Sequence, residues 1–262
     1  IGGALTNSTA IMADAVHDLG DSLSIGLAWV LAKLGKKPAS SSFSYGYKRL
    51  SLLGSLINGI VLIAGSSWVL FQSIPRLFNP EMPMTEGMLA LSFFGIAVNG
   101  FAAFKLSKGK TLNEKVLNWH LLEDVLGWVA VFIVSVVLTF VEWPILDPIL
   151  AICFTLFILV NVVRNVGSTL KLFLQGVPDQ NIAEKIEQKL KNIPEFKRFH
   201  HLHLWSLDGE SHVLTVHIEL EADLSMEDQR DLKHRLSAVL AEFEFSHTTV
   251  EFELDNEPCR DE

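Results

Sequence analysis

Ile11–Leu34, IMADAVHDLGDSLSIGLAWVLAKL, and Leu117–Val141, LNWHLLEDVLGWVAVFIVSVVLTFV, are the two stretches that decide how this chain reads. Both are long and apolar. Both carry a histidine followed four residues later by an aspartate: His17 and Asp21 in the first, His120 and Asp124 in the second. That spacing puts the two side chains on one face of a helix. Ionisable groups in a lipid-spanning helix are costly, so they mark function by default. Two such faces brought together offer two imidazoles and two carboxylates. This set suits tetrahedral Zn²⁺, with ligand bonds of about 2.0–2.2 Å. A single intramembrane histidine would be explained by helix–helix hydrogen bonding; two matched pairs are not.

Working outward, three further stretches complete a set long enough to cross about 30 Å of hydrocarbon. The five run over Ala10–Leu34, Leu50–Ile74, Gly87–Leu106, Leu117–Val141 and Ile145–Val166. Ile1–Leu5 reads as the end of another apolar helix. Loop charge sets the orientation. Lys33, Lys36, Lys37, Lys48 and Arg49 crowd one loop, and Lys105, Lys108, Lys110 and Lys115 another. Pro75–Glu86 holds only Arg76, and Glu142–Pro144 has no basic residue. The two basic loops are expected in the cytoplasm. Ser8 then begins on the outer side, and the last span exits to the cytoplasm past Arg164 and Lys171. The predicted division is a transmembrane domain over 1–177 and a cytoplasmic regulatory and dimerisation domain over 178–262.

After Pro178 the pattern changes. Ile182, Ile186, Leu190 and Ile193 repeat at helical spacing. His200–Leu207 and His212–Glu221 read as strands about a turn at Asp208-Gly209. Met226–Phe243 reads as a helix and Thr248–Leu254 as a third strand. The order α-β-β-α-β predicts a small α+β sandwich. Alternation puts Leu214, Val216, Ile218 and Leu220 on one sheet face and His217 and Glu219 on the other. Val250, Phe252 and Leu254 read as core-facing, with Glu251, Glu253 and Asp255 opposite. The chain's 262 residues are 49% hydrophobic with a net charge of −9, and the acidic residues concentrate in this last third. No basic stripe is present, so nucleic-acid binding is not expected. Cys153 and Cys259 are the only cysteines; one is in an apolar run and the other in a polar tail, so no disulfide framework is indicated. The opening residues lack the basic region of a signal peptide.

LTNSTAIMADAVHDLGD (5–21), SYGYKR (44–49), WHLLED (119–124) and HHLHLWSLDGESHVLTVHIEL (200–220) together resemble the cation diffusion facilitator family, and within it the zinc-transporting branch. The resemblance implies six transmembrane helices, the first largely absent here, followed by a ferredoxin-like, metallochaperone-like cytoplasmic domain. It implies a homodimer in the lipid bilayer, in the inner membrane if the source is bacterial. It also implies proton-coupled export of Zn²⁺ as the transported substrate, by alternating access around His17, Asp21, His120 and Asp124. SHTTVEFELDNEPC (246–259) is similar to the segment bearing regulatory zinc ligands in relatives. His217, His247 and Glu253 match such positions. Cys259 lies where relatives hold cysteines, and His200 matches a ligand in some bacterial members. Two departures stand out. Ser51 replaces a Glu common after Arg49-Leu50, removing a polar contact near the cytoplasmic mouth. The loop KLSKGKTLNEK (105–115) has none of the histidines found there in eukaryotic relatives.

The remaining ionisable and polar residues read blandly. Asp14, Asp18, Glu123 and Asp147 are expected to line entry paths or bond to neighbouring helices, and Asn58 to bond between helices. His201, His203, His212 and His234 read as surface or interface groups, and Trp205 as packing. No GxxxxGK[ST] loop appears, so no nucleotide drives the process. The competing readings are transport of Cd²⁺, Co²⁺ or Mn²⁺ on the same fold, a membrane metal sensor, and an intramembrane metalloprotease. The last lacks HExxH, so the chain is not expected to be an enzyme.

Overall fold

A computed structural model describes residues 2–107, 112–222, 224–243, 245–254 and 257–261, excluding the side chains of 28, 32 and 112–116. Ile1, Lys108, Lys110, Asp255 and the side chain of Lys115 therefore lie outside the described residues. The chain forms two compact units, Ile1–Ile25 with Ile57–Asn165, and Gly26–Leu56 with Val166–Glu262.

The helices are α1 (Gly2–Thr6), α2 (Thr9–Gly35), α3 (Leu50–Phe78), α4 (Thr85–Leu106), α5 (Leu112–Phe140) and α6 (Leu146–Phe173). At 1.5 Å per residue, even α4 is about 33 Å long, enough to span hydrocarbon. Among the described residues, four helices meet the length and composition of a membrane span: α3, α4, residues Leu117–Phe140 of α5, and α6. α2, expected as a fifth, is long enough but falls short in composition. Asp14, His17, Asp18 and Asp21 all fall within it, and these are the residues that make it informative. α3 also runs on past Ile74, where the sequence pattern ended it at Pro75. Proline lacks only a donor and clashes backwards. The helix nevertheless continues past it, and the Asn79 amide bonds to Pro75 O at 3.1 Å.

In the first unit, small residues let helices approach closely. A Cβ at Gly20 would lie 2.1 Å from Leu62 Cδ2, so α2 and α3 touch there through glycine. Ala10, Ile11, Ala13, Val69, Met88, Val131, Leu138 and Ala151 form its buried core. Phe93, Phe94, Phe101, Trp119 and Leu126 face outward, as expected where the surrounding solvent is lipid. Asn7, with φ 54°, breaks the chain between α1 and α2.

The second unit contains α7 (Gln180–Lys191), β1 (Phe196–Ser206), β2 (His212–Leu220), α8 (Met226–Leu240) and β3 (His247–Glu253). The expected α-β-β-α-β order is present. Sheet order is β1-β2-β3; β1 and β2 are antiparallel, and β2 and β3 are parallel across the α8 connection. The Asp179 and Ser225 side chains cap α7 and α8. Ile186, Leu190, Leu214, Ile218, Leu220 and Leu232 are fully buried between helices and sheet. Asp208 accepts the amides of Glu210 and Ser211, and Gly209 takes φ 104°, forming the predicted turn. The edges differ in detail. β1 starts at Phe196 rather than His200, and α8 ends at Leu240 in a 3₁₀ turn over Ala241–Phe243. β3 stops at Glu253, so Leu254, read as core-facing, is 42% exposed. The loop bearing SYGYKR belongs to this unit. Lys48 Nζ donates to Ser211 Oγ at 3.0 Å and Ser246 Oγ at 3.3 Å. Tyr45 stacks edge-on near Trp205 and His247, with ring centroids 6.4 and 5.8 Å away. Trp205 is thus a packing residue, as read.

Candidate metal centres

Helical spacing puts His17 and Asp21 on one face of α2, and His120 and Asp124 on one face of α5. Tertiary packing brings those two faces together. His120 Nε2 lies 3.0 Å from Asp21 Oδ2 and 3.9 Å from Asp124 Oδ2. His17 Nε2 lies 3.5 Å from Asp21 Oδ2 and 3.7 Å from Asp124 Oδ1. The imidazole rings stand edge-to-face, 5.8 Å apart. One ligand atom from each residue falls within 4.8 Å of all the others. Tetrahedral ligands at about 2.0–2.2 Å from a zinc ion sit about 3.3–3.6 Å from each other, and the N···O separations bracket that distance. Two neutral donors and two carboxylates would neutralise a divalent cation.

The centre opens into a cavity of about 680 Å³ lined also by Ser24, Asn58, Glu123, Asn161 and Asn165. Asn58 was expected to bond between helices. Its Oδ1 is instead buried without a partner, and its side chain lines this cavity. Asp14 is buried beside Gly127 of α5, whose Cβ position lies 3.9 Å from Asp14 Oδ1. Asp14 and Asp18 line a separate pocket of about 230 Å³ with Trp128. Asp147 does bond to a neighbouring helix. Its carboxylate accepts from Ser8 Oγ (2.6 Å), Thr9 Oγ1 (2.7 Å) and the amides of Thr9 (2.7 Å) and Ala10 (3.3 Å). It thereby caps α2 from α6. In the second unit, Ser51 Oγ donates to Lys48 O at 2.8 Å. Arg49 Nε and Nη2 are buried with no hydrogen-bond partner.

The second group lies on the polar face of the small sheet. Cross-strand register sets His200 opposite His217 and Glu219 beside Glu253. His200 Nε2 and His217 Nδ1 lie 3.1 and 3.0 Å from Glu253 Oε1. Cys259 Sγ is 3.6 Å from His217 Nδ1. These four residues place one ligand atom each within 4.8 Å of the rest, and a Zn–S bond of about 2.3 Å suits the longer sulfur separation. Glu253 is only 4% exposed. Burial pushes its carboxyl up, but hydrogen bonds from Cys259, His217 and His200 outweigh that and hold it below the ordinary range. On the same face, the Lys197 and Arg198 side chains hold the Glu219 carboxyl down at about 2.

Of the five residues expected here, four come together and His247 does not. It begins β3 opposite Val213, with Nε2 3.2 Å from Thr249 Oγ1. Six residue steps along the strand, about 20 Å, separate it from Glu253. Glu251, expected on this face, lies 3.8 Å from His217 Nε2, and Asp261 of the tail lies 3.5 Å from the same nitrogen. Arg260 ties the tail back to Glu251 at 2.5 Å. The signal in the sequence for Asp261 is its place two residues after Cys259. Two of the histidines read as surface or interface groups are packed against the sheet. His212 is 9% exposed. His201 takes φ 46° at a β1 irregularity, its ring 5.2 Å from that of His217.

Comparison with known proteins identifies the family. Residues 1–174 match the family described as cation efflux transmembrane domain, and residues 178–255 match the cation efflux protein cytoplasmic domain. The chain is 28% identical to a cadmium, cobalt and zinc/H⁺-K⁺ antiporter of Bacillus subtilis, over 97% of this chain and 83% of that protein. It is 29% identical to the metal cation efflux system protein CzcD of Cupriavidus metallidurans, over 99% and 82%. It is 30% identical to the zinc transporter ZitB of Yersinia pseudotuberculosis, over 98% and 82%. With helices that span the membrane and a cytoplasmic α+β domain, the chain is a member of the cation diffusion facilitator family of metal cation efflux transporters, and not an enzyme.

Proposed function

We propose that this protein exports Zn²⁺ from the cytoplasm in exchange for protons, using His17, Asp21, His120 and Asp124 as the transport site. The observation that carries the reading is the meeting of four ligand atoms, from two membrane helices, within 4.8 Å. Two imidazoles in the set favour zinc over manganese. Zinc binds neutral imidazole and ionised carboxylate, so loading releases protons. With the cargo gone, protonated His17 and His120 balance Asp21 and Asp124. One site therefore exchanges a cation for protons, and movement of the helices around it exposes the site to each side in turn. His200, His217, Glu253 and Cys259 form a second, regulatory zinc site in the cytoplasmic domain over residues 178–262. The transport domain ends at 177, and two copies of the chain form the working dimer.

Cd²⁺ and Co²⁺ are a second cargo reading, favoured by the printed name of the Bacillus subtilis relative. The test is zinc flux in proteoliposomes under an imposed pH gradient. Wild type should accumulate zinc when an acidic vesicle interior drives protons outward, and Asp124→Ala should lose flux entirely while remaining folded. Near-normal flux in Asp124→Ala would overturn the site. Accumulation that persists without a pH gradient or membrane potential would overturn the antiport.

A further inference from the structure

Hydroxyls in the membrane helices mostly satisfy themselves locally. Ser67 donates to Ile63 O at 2.7 Å, Ser135 to Phe132 O at 2.8 Å and Thr139 to Ser135 O at 2.9 Å. Thr155, on α6, does not. It is 3% exposed, and its Oγ1 is buried with no hydrogen-bond partner. An orphan hydroxyl alone, such as that of Ser73, would carry no argument. Thr155 differs in its neighbour. His17 Nδ1 is also buried with no partner, while Nε2 of the same ring faces Asp21 and Asp124. His17, Thr155 and Ser66, itself 3% exposed, line one small cavity otherwise walled by Leu62, Val69 and Ile158. Its volume is about 10 Å³, close to the least that holds the centre of one water.

We infer that this cavity binds a single ordered water that joins His17 Nδ1 to the hydroxyls of Thr155 and Ser66. The His17 Nδ1–H donates to the water oxygen, and the water donates its hydrogens to Thr155 Oγ1 and Ser66 Oγ. A neutral imidazole has one N–H. Holding it at Nδ1 leaves the Nε2 lone pair pointing into the four-residue centre, where a metal takes it. Metal-binding histidines generally give their second ring nitrogen such a partner, which fixes both tautomer and ring orientation. Thr155 is thus a positioning residue that acts through His17. The inference rests on reading the four residues as the transport site.

The experiment uses the full protein in lipid nanodiscs. In the metal-free state at alkaline pH, where the ring is neutral, the nitrogen-15 spectrum of the His17 ring, assigned with His17→Gln, reports the tautomer. Wild type should show the Nδ1–H form. Thr155→Val keeps the shape and removes the hydroxyl; it should give a mixture of tautomers. Its zinc affinity at the centre should fall about 10–100-fold, and Thr155→Ser should stay within about threefold of wild type. The zinc titrations are made with His217→Ala and Cys259→Ala present, so that only the membrane centre is read. An unchanged tautomer and affinity in Thr155→Val would overturn the inference. So would Thr155→Ser as impaired as Thr155→Val, since packing rather than the hydroxyl would then matter. Asp124→Ala separates the two readings. If it keeps zinc, the transport-site assignment fails, and the tautomer spectrum still decides the water site because it needs no metal.

Discussion

At the scale of single residues, the chemistry lies in a few groups held where they are expensive to hold. His17 supplies a borderline-soft nitrogen to the membrane centre. His17→Asp would make a harder, oxygen-rich set and should widen the cargo range toward Mn²⁺. Competition by each metal against zinc flux measures this, and an unchanged profile would remove His17 from the ligand set. Asp147 is a different kind of buried charge, 1% exposed and spent on capping α2. Asp147→Ala strips the acceptor from the hydroxyls of Ser8 and Thr9 and the amides of Thr9 and Ala10. The expected cost is on the order of 3 kcal/mol, from several buried donors left unpaired. Thermal unfolding in detergent should show it, with Asp147→Asn recovering part of the loss through its amide oxygen. The spacing of His17 and Asp21 was legible in the sequence, and so was a helix bond from Asp147, but not its partners or its capping role. Nothing in LDP (146–148) indicates that its partners lie 138 and 139 residues away.

Among the elements, the small sheet is where local pattern and tertiary contact part company. The apolar alternation of β2 predicted its buried face, and Leu214, Val216, Ile218 and Leu220 are all buried. Alternation could not show where β3 stops, and so mistook Leu254. An edge strand ends where its partner ends, and β2 pairs no further than Glu219 with Glu253. One tie from this unit predicts a pH response. Arg235 of α8 pairs with Glu195, at the entrance to β1, and holds its carboxyl below the ordinary 4.5. A depressed carboxylate adds stability above its unfolded pKa and loses it as pH falls through the lowered folded value. The cytoplasmic unit should therefore lose stability on acidification below about 4.5, and Glu195→Gln should flatten that slope. The effect is small because the Arg235 side chain is 56% exposed and solvent screens the pair. Denaturant midpoints at pH 7 and pH 4 compare the two proteins directly.

For the whole molecule, charge sets the last prediction. The chain carries a formal −9, concentrated after α6, and two copies of an acidic domain repel each other. Zinc held by His200, His217, Glu253 and Cys259 would neutralise part of that charge. The dimer should tighten with added zinc, and His217→Ala with Glu253→Ala should abolish the response while transport falls only in part. Sedimentation of the purified protein with and without zinc reads this out. A mass and shape indifferent to zinc would leave the sheet-face residues as a solvated polar patch.

Sequence alone determined what depends on short-range periodicity and on the cost of burying charge. Long apolar runs separated by basic loops require helices that cross a membrane. Two histidine–aspartate pairs at helical spacing require a reason to be there. The α-β-β-α-β order follows from apolar periods that switch between helix and strand. Tertiary structure decided what depends on which faces meet. It joined α2 to α5, so that four residues make one centre. It brought His200 and the tail residue Cys259 to His217 and Glu253, and sent His247 to Tyr45 instead. It also set Thr155 beside the back of the His17 ring. Spacing along a chain specifies the direction of a side chain on its own helix or strand. It carries no information about the partner that waits there, because that partner is chosen by the packing of residues far away in sequence.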